Sequence, residues 1–270
     1  MNFYLLVLCF VQGIGEFLPV SSSAHLTLIS LLFYQPPTSL EWEVALHLGT
    51  LLSVILYFRY EVWAILTAWW AFILKGNRKA LWFDSNWQLG LYLGAATIPA
   101  LIVGYIIKNK VNALASTSVI GISSLTFGVL LYLADVHQHR RPQKLTFIKA
   151  LGIGCAQILA FIPGASRSGV CITAARYLGL GRVEATRFAF LLSIPTVLGA
   201  VVLTGYDVYE QNILLNWSSM IQAIIITAIL GVSVIHGLLL FLKRHSFAPF
   251  MVYRVILGLG LLLLSVYQWL

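Results

Sequence analysis

Charge is scarce in this chain. Of its 270 residues only 9 are Asp or Glu and 17 are Lys or Arg, 10% together, where soluble domains carry roughly a quarter. A chain so poor in charge cannot clothe a water-facing surface, which excludes an ordinary soluble domain. Cysteine is nearly absent as well. Cys9, Cys155 and Cys171 are odd in number, sit in apolar surroundings and lack metal-ligand spacing, so neither a disulfide framework nor a zinc site is expected. Cys9 and Cys155 read as small hydrophobes. No Lys or Arg precedes the first apolar run, which leads into Gln12 and Glu16 and not into a small-residue cleavage site. A cleaved signal peptide is therefore not expected.

What is present is apolar length. Hydrophobic residues make up 60% of the chain and the mean hydropathy is +0.90. Six segments are long enough to cross a bilayer: about 42–58, 89–107, 119–134, 188–205, 221–242 and 250–270. Two more, 3–32 and 148–178, are interrupted near the middle by polar, Pro-containing stretches. The net charge of +8 does not indicate nucleic acid, because the basic residues sit in short loops where they act as a topology signal.

With each interrupted segment read as a re-entrant hairpin, Arg59, Lys75, Arg78, Lys79, Arg140, Arg141, Lys144, Lys149, Arg176, Arg182, Arg187, Lys243 and Arg244 fall inside. Only Lys108 and Lys110 fall in an outside loop, and both termini lie outside. Residues 61–74, with Trp63, Trp69 and Trp70, are then expected as a helix lying in the interface; the alternative, a true span there, would invert everything after it and place the basic loops outside. The expected fold is an all-α polytopic membrane protein, with six transmembrane helices plus two re-entrant helical hairpins arranged as an inverted repeat. It is one domain, residues 1–270, with halves of about 1–135 and 136–270.

The two interruptions carry the chemistry. The first runs from Gln12 through Glu16, Pro19 and Ser21-Ser22-Ser23 to His25; the second from Gln157 through Pro163 and Ser166-Arg167-Ser168 to Gly169. Polar groups at membrane depth line functional cavities. Short helices restarting at Ser21 and Ser166 would aim unpaired N–H groups and positive dipole ends at one cavity, an anion site. Arg167 adds a planar fork suited to phosphate oxygens. Gln12 and Glu16, four apart, share a helix face, and a Glu beside phosphate oxygens can hold Mg²⁺. Ser22 and His25, three apart, would let the imidazole reach the hydroxyl, as an activated nucleophile requires.

Blander readings stand beside these. Serines in membrane helices bond back to the preceding turn, and Glu16 with Arg167 could form a purely structural ion pair. His47 reads as structural, and Tyr253 and Arg254 as snorkelling near the inner end of the last span. A transporter or flippase of a phosphorylated lipid or organic anion shares this architecture and remains an alternative.

The stretches Gly13-Ile14-Gly15-Glu16-Phe17-Leu18-Pro19-Val20-Ser21-Ser22 and Pro163-Gly164-Ala165-Ser166-Arg167-Ser168-Gly169, with Pro249 to Arg254, closely resemble the undecaprenyl-pyrophosphate phosphatase (bacitracin-resistance) family. The resemblance implies an enzyme of the bacterial cytoplasmic (inner) membrane, its site facing the outer side, that hydrolyses undecaprenyl pyrophosphate to the monophosphate for peptidoglycan synthesis. It implies a divalent cation, Mg²⁺ or Ca²⁺, served by Glu16 with Gln12. Arg167, Ser166 and Ser168 would grip the pyrophosphate, with Ser21, Ser23 and Gly169 in the same binding role. Ser22 would attack with His25 as base; in the competing version His25 attacks directly. Many relatives have Glu where this chain has Gln12, and some have Thr at Cys171. The implied partners are a polyprenyl pyrophosphate lipid and the membrane, with no nucleic acid. A homodimer is compatible with the reading, and tail length is not legible.

Overall fold

A computed structural model of the chain describes residues 2–34, 38–74, 84–107, 115–137 and 143–267. Lys75, Arg78, Lys79, Lys108, Lys110, Arg140 and Arg141, which carry much of the topology argument, lie outside the described residues. Among the described residues there are eleven α-helices and no strand: α1 Phe3–Gly15, α2 Ser22–Leu32, α3 Leu40–Tyr57, α4 Arg59–Leu74, α5 Ser85–Ile107, α6 Thr117–His137, α7 Phe147–Gln157, α8 Arg167–Tyr177, α9 Arg182–Glu210, α10 Trp217–Leu242 and α11 Ala248–Tyr267.

Six of these, α3, α5, α6, α9, α10 and α11, are long and apolar enough to span a membrane, and they coincide with the six expected segments. The 16 residues of α4 rise about 24 Å, short of a hydrocarbon core of about 30 Å.

The four short helices form two pairs. The start of α1 meets the end of α2, where the Tyr4 and Ser30 hydroxyls are 3.2 Å apart and the Phe3 and Phe33 rings 6.2 Å apart. The start of α7 likewise meets the end of α8, where Gln143 N–H donates to the Gly179 carbonyl at 2.9 Å. Helix α10 fixes their relative placement. Its first turns share an apolar cluster with Leu5, Leu8 and Leu46, while the segment after it donates Phe247 N–H to Asp135, beside α8. The open ends of the two pairs thus lie at opposite ends of the bundle, a geometry compatible with re-entrant hairpins in an inverted repeat.

Lipid is as apolar as a leucine, so close backbone approach between small residues does much of the work of holding such helices together. A Cβ on Gly258 of α11 would stand 2.7 Å from the Gly121 carbonyl of α6. One on Gly154 of α7 would run into the backbone of Ala96 in α5. The end that gathers α6, α8, α9 and the segment before α11 is pinned by a buried carboxylate. Asp135 Oδ1 accepts from Arg176 Nε at 3.0 Å and Arg182 Nε at 2.8 Å, and its Oδ2 accepts from Phe247 N–H at 3.1 Å.

Candidate active site

Both broken segments stop and restart by the same local rules. Helix α1 ends at Gly15, four residues ahead of Pro19, which has no N–H to offer a continuing helix. Helix α7 tightens into a 3₁₀ turn, Ile158–Phe161, and Ile162 then goes extended ahead of Pro163. Each new helix is capped by a serine at φ 72°, Ser21 for α2 and Ser166 for α8. Ser21 Oγ accepts from Ala24 N–H and Ser166 Oγ from Gly169 N–H. A side chain at positive φ costs on the order of 1–3 kcal/mol, held here by the surrounding contacts. The restart expected at these two serines is the one observed.

The breaks face one another and are cross-linked reciprocally. Ser168 Oγ donates to the Leu18 carbonyl at 3.2 Å, and Gly164 N–H donates to Ser23 Oγ at 3.3 Å. Counting from the caps, Ser23 and Ser168 are equivalent, and so are Ser22 and Arg167, the first residue of each helix. Those two first residues converge on one carboxylate. Ser22 Oγ donates to Glu16 Oε2 at 3.0 Å, and Arg167 Nη2 donates to Glu16 Oε1 at 2.6 Å. Gln12 Nε2 adds a third donor, to Oε2 at 3.2 Å, as the four-residue spacing implied.

Several donors in this cluster remain unspent. The backbone N–H groups of Ser22, Ser23, Arg167 and Ser168 have no hydrogen-bond partner among the described residues. Arg167 Nη1 is buried and unbonded. An unpaired buried donor such as Nη1 is rare and costly, and two helix N-termini with a guanidinium favour an anion. Gly169 differs, since its N–H is already taken by the cap of α8. Gln12 Oε1 is a buried acceptor without a partner, directly beside Glu16.

Two arrangements differ from the sequence expectation. His25 does not bond to Ser22. Its Nδ1 lies 2.7 Å from the Ser21 carbonyl and its Nε2 2.6 Å from Tyr253 Oη, because the pitch of α2 turns the ring toward its own cap and α11. Arg254 does not snorkel. It is wholly buried and donates to the carbonyls of Ser124 at 3.0 Å, Gly164 at 2.8 Å and Pro19 at 3.4 Å, so one guanidinium holds a carbonyl from each break. No local pattern distinguishes that arginine from an interfacial one; only its place in the Pro249–Arg254 stretch marks it.

This paired-break site sits in a chain whose residues 5–260 match the family model described as bacitracin resistance protein BacA. The chain belongs to the BacA family. Two curated relatives of it are 42% identical to this chain. One is the undecaprenyl-diphosphatase of Alcanivorax borkumensis, aligned over 263 residues, 96% of this chain and 97% of the relative. The other is undecaprenyl-diphosphatase 2 of Stutzerimonas stutzeri, aligned over 266 residues with the same coverage. For this BacA-family chain the remaining feature near the site is a lateral apolar cavity of about 600 Å³ between α6, α7 and α8. Val170, Ala174 and Tyr177 line it, on the face of α8 that continues from Arg167 at helical spacing.

Proposed function

We propose that this protein removes the terminal phosphate of undecaprenyl pyrophosphate, releasing undecaprenyl phosphate and inorganic phosphate. The observation that carries the reading is the meeting at Glu16 of two helix N-termini that carry four unpaired backbone N–H groups, with Ser22 Oγ and Arg167 Nη2 donating to the carboxylate and Arg167 Nη1 unbonded. A pyrophosphate supplies enough oxygens to satisfy that set, and a carboxylate does not. The apolar cavity beside α8 suits a polyprenyl tail running away from the headgroup. In this reading the protein works in the bacterial cytoplasmic membrane with the site opening toward the outer side, an assignment supported by the sorting of basic residues along the sequence.

The chain's residues divide the work. Arg167 and the helix N-termini bind and orient the diphosphate and stabilise the charge that builds on the transferring phosphoryl group. The Ser22 oxygen attacks the terminal phosphorus while its proton passes along the existing bond to Glu16. The phosphorus–oxygen bond of the anhydride breaks, and undecaprenyl phosphate leaves with the electron pair. Water then attacks the phosphoserine and gives a proton to His25, and the Ser22 oxygen leaves and recovers its proton from Glu16. A divalent cation fits the donor set. The orphaned Gln12 Oε1 and the Glu16 carboxylate would hold it, with phosphate and water oxygens completing the shell. The chemistry it would supply there is neutralisation of pyrophosphate charge.

Direct attack by His25 is a second reading, favoured by the Nδ1 anchor on the Ser21 carbonyl and the absence of a Ser22–His25 bond. Phosphate release from undecaprenyl pyrophosphate by purified protein in detergent, with Mg²⁺ or Ca²⁺, tests both. Release abolished by Arg167→Ala, with an acid-stable phosphoserine accumulating in His25→Ala, supports the first reading. An acid-labile phosphohistidine on the wild-type protein would replace it with the second. No release with either cation would sink the phosphatase reading and leave the carrier.

A further inference from the structure

His25 is held at both ends, and the second hold comes from the far half of the chain. A carbonyl can only accept, so the 2.7 Å contact with Ser21 O places the proton of a neutral imidazole on Nδ1 and the lone pair on Nε2. Nε2 then accepts from Tyr253 Oη–H at 2.6 Å, 228 residues away in sequence, with the two rings parallel to within 3° and their centroids 5.6 Å apart. Among the described histidines only His25 has both ring nitrogens bonded; His47, His236 and His245 bond through Nδ1 alone.

The neighbour in sequence explains why Tyr253 can be an accurate reference point. Arg254 is anchored to the carbonyls of Pro19, Gly164 and Ser124, so the backbone that carries Tyr253 is tied to both breaks. A hydroxyl launched from that backbone reports the position of the breaks to the imidazole. The ring of His25, one turn into α2, would otherwise be fixed only by its own helix.

We propose that Tyr253 holds the His25 imidazole in register with the two helix N-termini and that its hydroxyl is the route by which a proton reaches Nε2. The proposal rests on the phosphatase reading: with the Nε2 lone pair filled by Tyr253 Oη–H, the proton of the attacking water passes to Tyr253 Oη while Oη–H passes its own proton to Nε2. Tyr253 touches neither Ser22 nor Glu16 among the described contacts, so its effect runs through His25. Removing the hydroxyl while keeping the ring frees the imidazole to turn about its side-chain bonds. Misplacing a reacting group by about 1 Å costs up to a hundredfold in rate.

The test is a double-mutant cycle on phosphate release, using Tyr253→Phe, His25→Ala and the double variant. Tyr253→Phe should lower kcat about tenfold to a hundredfold with KM moved less than about twofold. In the His25→Ala background the same substitution should change kcat by less than about twofold, because its intermediary is gone. Effects that simply multiply, or a Tyr253→Phe kcat equal to wild type, would overturn the proposal. A second arm needs no turnover: carbethoxylation of His25 by diethylpyrocarbonate, followed by peptide mass spectrometry. That reagent attacks the imidazole lone pair, so Tyr253→Phe should be labelled several-fold faster than wild type, and equal rates would also overturn the proposal. A wild-type protein that releases no phosphate but shows the labelling difference would fault the phosphatase reading and leave the positioning contact standing.

Discussion

Replacing Arg254 with Lys removes a fork and keeps a charge, and the structure gives the cost. The guanidinium bonds to Gly164 O at 2.8 Å, Ser124 O at 3.0 Å and Pro19 O at 3.4 Å, all out of solvent. Hydrogen bonds involving a charged partner contribute about 1.5–3 kcal/mol each, and the 3.4 Å bond belongs at or below the bottom of that range. A lysine ammonium is a compact point charge and can keep one of the two strong bonds. Losing the other, with the long bond and a carbonyl left unpaired, amounts to about 2–4 kcal/mol. The two breaks lose their common anchor at the same time, so kcat should fall by about tenfold to a hundredfold in the protein that remains folded. Equilibrium unfolding in mixed micelles with increasing dodecyl sulfate measures the first quantity, and phosphate release the second. A lysine variant within about 0.5 kcal/mol of wild type, with unchanged kcat, would refute the idea that Arg254 holds the breaks in register.

Gln12→Glu adds a carboxylate beside Glu16, and the Mg²⁺ concentration for half-maximal phosphate release should drop several-fold; an unchanged titration would remove Gln12 from the cation site. Asp135→Ala leaves Arg176 buried with its ion pair gone, and loss of one partner of such a pair costs about 3–5 kcal/mol, seen as early unfolding in the same micelle assay. Gly164→Ala puts a Cβ into the Ser123 hydroxyl and the Ile120 backbone at φ +91°, so the yield of folded protein should fall sharply by size-exclusion profile.

Much of the fold is legible in the sequence because its signals are local. The six spans follow from uninterrupted apolar length, and the two helix restarts from proline followed by serine. What lies beyond reach is long-range. Arg254 resembles any basic residue near a helix end until its acceptors, 90 to 235 residues away, are known. Tyr253 is invisible for the same reason. The Ser22–His25 expectation rested on helical spacing alone, and spacing does not say that Glu16 and Tyr253 offer better partners. Asp135 is the exception, a readable signal left unused: a lone carboxylate among apolar residues near the end of α6 calls for a buried partner.

Arg167 already has an intramolecular anion at 2.6 Å, Glu16, and a tethered carboxylate competes at a fixed and high effective concentration. A ligand content with Nη1 leaves that pair intact, whereas a two-pronged grip on the guanidinium must displace it. Pyrophosphate brings the charge and the oxygens to do so while also engaging the free amides of both helices; orthophosphate, smaller and less charged, brings fewer. Once the phosphoserine is hydrolysed and Glu16 has returned its proton to Ser22, the carboxylate can reclaim its arginine, so the protein carries a built-in displacer that favours departure of product.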